Sequence, residues 1–130
     1  LEDLRAAADA MMETVTRVVG DYTTDPDAPP DETFLTFLIT NGRVMLGHQG
    51  GKPLYFSTYK TRCPDRDHCP SFAPECEMLS RTGFVNHLVF SSEPLHGENI
   101  WLPMTPGQMV GVGPMMRLHR FGWTDMATLI

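Results

Sequence analysis

No stretch of this chain approaches the roughly 18 to 20 consecutive apolar residues that cross a bilayer, and no charged-then-apolar leader opens it. A soluble, cytoplasmic protein with no membrane partner is the expectation. Basic residues are scarce: ten Lys and Arg stand against sixteen Asp and Glu, a formal net charge of −6. A surface of that sign does not gather a phosphate backbone, so nucleic acid is not an expected partner. A phosphate loop is also missing. Gly47-His48-Gln49-Gly50-Gly51-Lys52 lacks the G-x4-G-K-[ST] spacing and leads into Pro53 and strand-forming residues, where a phosphate loop would open a helix. It reads as a turn. Around Asp65 and Asp67, and around Glu75 and Glu77, there is no loop glycine and no spaced series of ligands as calcium requires, and these read as solvated charges. There is no internal repeat and no low-complexity tract. At 130 residues, 42% of them hydrophobic, the chain is one domain or a piece of a larger one. Its opening on Leu1 reads as a processed chain or a fragment.

What is present begins with a periodic segment. Leu1, Leu4, Ala8, Met11, Met12, Val15, Val18 and Val19 recur at steps of three and four, which predicts a helix over residues 1–19 that Gly20 ends. Residues 21–32 hold four Asp, three Pro and one Glu with no apolar period, the composition of a solvated loop. Residues 33–40 (TFLTFLIT) and 43–48 (RVMLGH) flank Asn41-Gly42, a pair that tolerates the positive φ of a two-residue hairpin turn. With 54–59 (LYFSTY) they predict a three-stranded antiparallel meander over residues 34–59. Residues 60–83 interrupt it as a flexible Cys- and Pro-rich excursion. Strands are expected again at 85–91 (VNHLVFS), 109–112 and 115–119, and residues 121–130 are too short to classify. The fold class is therefore α+β: one N-terminal helix followed by five or six mostly antiparallel strands. One helix covers one sheet face and leaves other apolar residues uncovered, which points to a complementary piece. Met11, Met12, Met45, Met109, Met115 and Met116 fall at predicted core positions, where methionine gives adaptable packing.

Chemistry-bearing residues concentrate in the excursion. Cys63, His68, Cys69 and Cys76 form C-x4-H-C-x6-C, which supplies the four nitrogen and sulfur ligands that zinc takes. The spacing argues against that site, because it lacks the tight C-x2-C to C-x4-C knuckle and asks adjacent His and Cys to face one ion. A disulfide with one cysteine left over, or three reduced thiols, are the other readings. The zinc reading makes the chain a non-catalytic binding module whose loop contacts a partner. Nothing in the sequence sets a base beside a cysteine as a nucleophile requires. His87 falls inside a predicted strand and reads as a packed histidine, and His48, His96 and His119 have no spacing that makes them a ligand set.

In the second half, an apolar strand over 85–91 runs into Ser92-Glu93-Pro94-Leu95, followed by a polar connection with Trp101, by Pro106-Gly107, and by Met109-Val110-Gly111-Val112. This succession resembles the closing segment of class II glutamine amidotransferase domains. The Leu38-Ile39-Thr40-Asn41-Gly42-Arg43 hairpin, the strand around Ser57-Thr58-Tyr59-Lys60 and the opening helix are similar to the family's central part. The resemblance covers residues 1–130, with 60–83 as an insertion. It implies an N-terminal-nucleophile hydrolase: two antiparallel sheets face to face between helical layers, an αββα sandwich of which this chain is the distal part. In that family an N-terminal cysteine attacks the side-chain amide of glutamine, with its own α-amino group as base, and ammonia passes to an acceptor. No cofactor is implied. Residue 1 here is Leu, and Asn41-Gly42 is a hairpin turn and not the family's oxyanion pair, so the resemblance carries no catalytic or substrate-binding residue onto this chain. The expected partners are glutamine, as substrate of the complete domain, and an upstream segment or separate chain that bears the nucleophile.

Overall fold

The computed structural model describes residues 1–122. Helix α1 (Glu2–Val19) precedes strands β1 (Phe37–Thr40), β2 (Met45–His48), β3 (Tyr55–Ser57), β4 (Val89–Ser91), β5 (Leu102–Pro103), β6 (Met109–Val112) and β7 (Leu118–Phe121). Short 3₁₀ turns lie at Pro74–Cys76 and Pro114–Met116. The protein is α+β, and its strands form two antiparallel sheets, a larger one in the order β1-β2-β6-β7 and a smaller one in the order β4-β3-β5.

The helix forms where its apolar stripe meets a sheet. Glu2 and Asp3 in its first turn and Arg17 in its last suit the helix dipole, and Gly20 ends it at φ 92° with its N–H on the Thr16 carbonyl. Ala8 and Met12 are its buried residues, and they pack with Leu46 of β2 and Met109 of β6. Antiparallel partners share a face, so the pairs Phe37–His48, Ile39–Leu46, His48–Met109 and Met109–Phe121 all look toward the helix. The opposite face is set by the alternate residues. Val110 packs with Leu54, Phe56 and Met104, while Gly47 lies beneath the ring of Phe90. The larger sheet is thus a middle layer, with α1 on one side and the smaller sheet on the other. Phe56, Leu46 and Val110 are wholly buried. At about 1.5–3 kcal/mol for each large apolar side chain withdrawn from water, these residues hold the layers together.

Several expectations change. The meander over 34–59 does not form, because β3 leaves β2 and joins the smaller sheet while β6 takes the place beside β2. Gln49 is the pivot: its N–H donates to the Gln108 carbonyl, its carbonyl accepts from Gly107 N–H, and its side chain donates to the Met104 carbonyl. Those bonds hold the 49–53 turn against the 104–108 connection, and Leu54 and Phe56 then stack over the larger sheet. The Asn41-Gly42 hairpin is real, but Thr40 pairs with Met45 and the connection has four residues. Asn41 Oδ1 accepts the N–H groups of Arg43 and Val44 at 3.0 and 3.1 Å, and Gly42 takes φ 87°.

The strand expected at 115–119 starts later, at Leu118. Met115 and Met116 have φ of 62° and 61°, a left-handed backbone that no strand contains. Met115 is therefore 87% exposed, and Met11 lies on the outer side of α1, so neither belongs to the core, whereas Met12 and Met109 do. Among the described residues there are seven strands against the five or six expected, and a second sheet supplies the cover that one helix could not. Of the unclassified segment 121–130, Phe121 ends β7, and residues 123–130 lie outside the described part.

Gly47 sets the spacing of the two sheets. A Cβ there would come within 2.6 Å of the Phe90 ring and 3.1 Å of Leu38. Gly47→Ala is expected to lower stability by about 1–3 kcal/mol in urea denaturation through overpacking. The double variant Gly47→Ala/Phe90→Leu is expected to recover part of that loss.

Candidate functional site

The polar chemistry of the molecule collects where residues 60–83 leave and rejoin the smaller sheet. Strand β3 ends at Ser57, and the chain continues through Thr58, Tyr59 and Lys60. Ser57 and Thr58 have no exposed surface. The Ser57 hydroxyl lies 3.0 Å from the Tyr59 carbonyl and 3.1 Å from Asn99 Oδ1. Lys60 forms an isolated bridge with Asn99, and Ile100 N–H donates to the Tyr59 carbonyl, so the segment before β5 closes one side of this cluster. His87, two residues before β4, closes the other.

His87 is half-buried, and its Nε2 is withdrawn from solvent without a hydrogen-bond partner, as is Thr58 Oγ1. Burial holds the imidazole below its ordinary pKa of 6.5, the nearby Lys60 ammonium lowers it further, and the Asn99 side chain opposes them by hydrogen bonding. The ring is accordingly neutral at pH 7. The sequence expectation of a packed histidine describes its burial but not its setting. Its setting is made by the charge of Lys60 and the side chain of Asn99, and no spacing along the chain foretells them.

The excursion is not a loose loop. Its neck is tied by Lys60 N–H to the Cys76 carbonyl at 2.9 Å and by Thr61 N–H to the Glu98 carbonyl at 2.8 Å. Inside it, the Glu77 carboxylate accepts the Cys63 N–H at 2.7 Å and pairs with Arg66 at 3.4 Å, and Arg66 also lies over the ring of Phe72. Asn86, beside His87, donates from Nδ2 to the Ser71 carbonyl at 2.8 Å and to Cys76 Sγ at 2.9 Å. A cleft of about 460 Å³, lined by Tyr59 and residues 77–81, opens beside the neck. Glu77, read from sequence as a solvated charge, is instead the clasp of the loop. Only its folded position, fourteen residues from Cys63, reveals this.

Cys63, His68, Cys69 and Cys76 are not brought together. Among the described residues no group of three or more His, Cys, Asp or Glu side chains is placed to hold a metal ion. All three cysteines are free thiols: Cys76 is buried, Cys63 half-buried and Cys69 exposed. The reason is local. Turns through Cys63–Arg66 and Asp65–Cys69 bring the chain round on itself, while Cys76 is drawn toward the sheet by Lys60 and Asn86.

The other singled-out residues stay apart. His48 is buried on the helix side of the larger sheet, with Nδ1 2.6 Å from the Leu35 carbonyl. His96 is exposed in the connection after β4, and His119 lies on β7 stacked on Phe121. Residues 47–52 form a strand end and a turn, as read from sequence. Among the described residues no helix is long and apolar enough to cross a membrane. Comparisons with models of protein families, with curated proteins and with solved structures found no match.

The clasp can be tested directly. Asn86→Ala removes the donor to Ser71 and Cys76, and the expected cost is about 1 kcal/mol. The diagnostic measurement is the rate at which Cys76 reacts with an aromatic disulfide reagent. It is expected to rise several-fold, with the rate at Cys69 unchanged.

Proposed function

We propose that the chain is the C-terminal portion of a class II glutamine amidotransferase-like domain, in which the nucleophilic cysteine and the glutamine-holding residues lie on an upstream segment or a separate chain. The observation that carries this reading is the layering: a helix, a four-stranded antiparallel sheet and a second antiparallel sheet stacked on it. The arrangement that the resemblance implies would have a helix, a sheet and a second sheet in that order. Ser92-Glu93-Pro94-Leu95, the most distinctive part of that resemblance, follows directly on β4. A further layer would lie on the outer face of the smaller sheet, where Val89 is 38% exposed.

In this reading the chain supplies scaffold. An N-terminal cysteine on the complementary segment attacks the side-chain carbonyl carbon of glutamine, the carbon–nitrogen bond breaks, and ammonia departs toward an acceptor. Water then cleaves the thioester and releases glutamate. The contribution of residues 1–122 is the sheet stack that backs the site. The three thiols take no part in the chemistry, since no base is within hydrogen-bond reach of any of them: Cys76 Sγ is met by the Asn86 amide, and the Cys63 and Cys69 side chains have no such contact among the described residues.

The expected result is that the chain by itself releases no ammonia from glutamine. Mixed or co-expressed with the complementary N-terminal polypeptide, it restores glutaminase activity, and a diazoketone analogue of glutamine labels the partner's terminal cysteine. Glutamine hydrolysis by this chain alone, abolished by changing Cys63, Cys69 or Cys76 to Ser, would contradict the assignment. So would a folded mixture that forms a stable complex without hydrolysing glutamine.

A further inference from the structure

The neck of the 60–83 excursion joins four elements through a few polar contacts, and one titratable ring sits among them. Lys60, at the end of β3, acts on His87 through its charge, Asn99, on the approach to β5, acts through a side-chain hydrogen bond, and the chain neighbour Asn86 holds Ser71 and Cys76. Lys60 in turn carries the N–H that binds the Cys76 carbonyl. The anchors described between the excursion and the smaller sheet are thus on Lys60, on Thr61 and Glu98 beside Lys60 and Asn99, and on Asn86 beside His87. We propose that this neck is an acid-operated latch: a proton added to His87 releases residues 60–83 from the smaller sheet while the two-sheet core stays folded.

The argument is one of unmet charge. The buried Nε2 has no partner, so a proton added there finds no acceptor and leaves a costly buried N–H, and the Asn99 hydrogen bond, which favours the charged ring, is outweighed by burial and by Lys60. The groups facing the ring are Lys60 from the β3 side and Asn99 from the β5 side. Lys60 repels an imidazolium and Asn99 carries no charge, and no carboxylate is among the groups that act on it. Glu77, the acid of the excursion, is occupied by Arg66 and Cys63, and Glu98 binds Thr61 through its backbone carbonyl. Moving His87 and Lys60 apart relieves the repulsion, and that displacement breaks Lys60–Cys76 and pulls Asn86 from Ser71 and Cys76. The core is insulated from this change. Phe56 and Val110 pack with Leu54 and Met104 in an apolar cluster, and the one buried histidine described in the core, His48, lies on the far face of the larger sheet with Nδ1 at the Leu35 carbonyl.

The direction with pH follows from the depressed affinity of the ring for a proton. Opened chain binds the proton more readily than latched chain, so the latch is at full strength above pH 6.5 and weakens as the pH falls toward the lower value of the closed form. Opening increases by up to about tenfold for each unit that separates the two values. This inference stands independently of the amidotransferase reading.

Hydrogen exchange, followed by mass spectrometry at pH 7.5 and pH 5 and corrected for the intrinsic pH dependence of exchange, reads the latch. Amides of residues 60–83 are expected to lose protection at pH 5, with those of β2 and β6 unchanged. In His87→Gln, neutral at both values, the excursion is expected to keep equal protection. Should that variant fail to fold, Lys60→Met gives the second reading: it retains the backbone anchor and removes the repelling ammonium, so the acid response is smaller. The His87 ring resonances, titrated in the unaltered chain, are expected to show a midpoint below 6.5. A midpoint at or above 6.5, equal loss of protection in β2 and β6, or an undiminished acid response in either folded variant overturns the proposal.

Discussion

Contact between the two sheets is the constraint on which the rest of the molecule depends. Gly47 leaves room for the Phe90 ring, and Val110 meets Leu54, Phe56 and Met104 from the same face of the larger sheet. Without that stack, β3, β4 and β5 would be a three-stranded patch of two- and three-residue strands, far too small to be stable in water. Burial against the larger sheet is what allows such short strands to pair. The helix makes the complementary contribution on the opposite face through Ala8 and Met12.

From this stack follows the placement of the polar residues. Phe56 faces inward and is wholly buried, so alternation turns Ser57 to the other face, where its hydroxyl meets Asn99. The excursion that begins three residues later is fastened to that rim by backbone carbonyls and by one side-chain amide. It therefore behaves as a compact appendage with its own clasp, Glu77 with Arg66 and Cys63, and not as a tether. A long segment without regular structure keeps its shape here because its backbone groups find partners within itself and on the sheet edge.

The functional reading and the latch draw on different parts of the molecule. The proposed amidotransferase scaffold uses the layer order and the segment after β4. The latch uses the opposite margin of the same small sheet, where a neutral imidazole is held beside an ammonium. Acid sensitivity confined to the excursion would allow the sheet stack to persist through a change in the covering loop. The division has a physical source, since apolar clusters do not respond to protons and partly buried histidines do.

What the sequence determined by itself was whatever depends on near neighbours. The helix over residues 1–19 and its glycine stop follow from a three- and four-residue apolar period and from a conformation open to Gly20. The hairpin at Asn41-Gly42, the strand at 109–112 and the α+β class follow from local composition as well. Tertiary structure decided whatever depends on distant partners. Residues 54–57 are strand-forming in either sheet, and the choice between lying beside β2 and stacking above it was made by Gln49 against residues 104–108 and by burial of Phe56. Cys76 is held at the sheet while Cys69 remains exposed, a separation that the spacing of the cysteines does not show. His87 looked like any histidine in a strand. Its character comes from Lys60 and Asn99, more than ten residues away on either side, and folding alone brings those three side chains together.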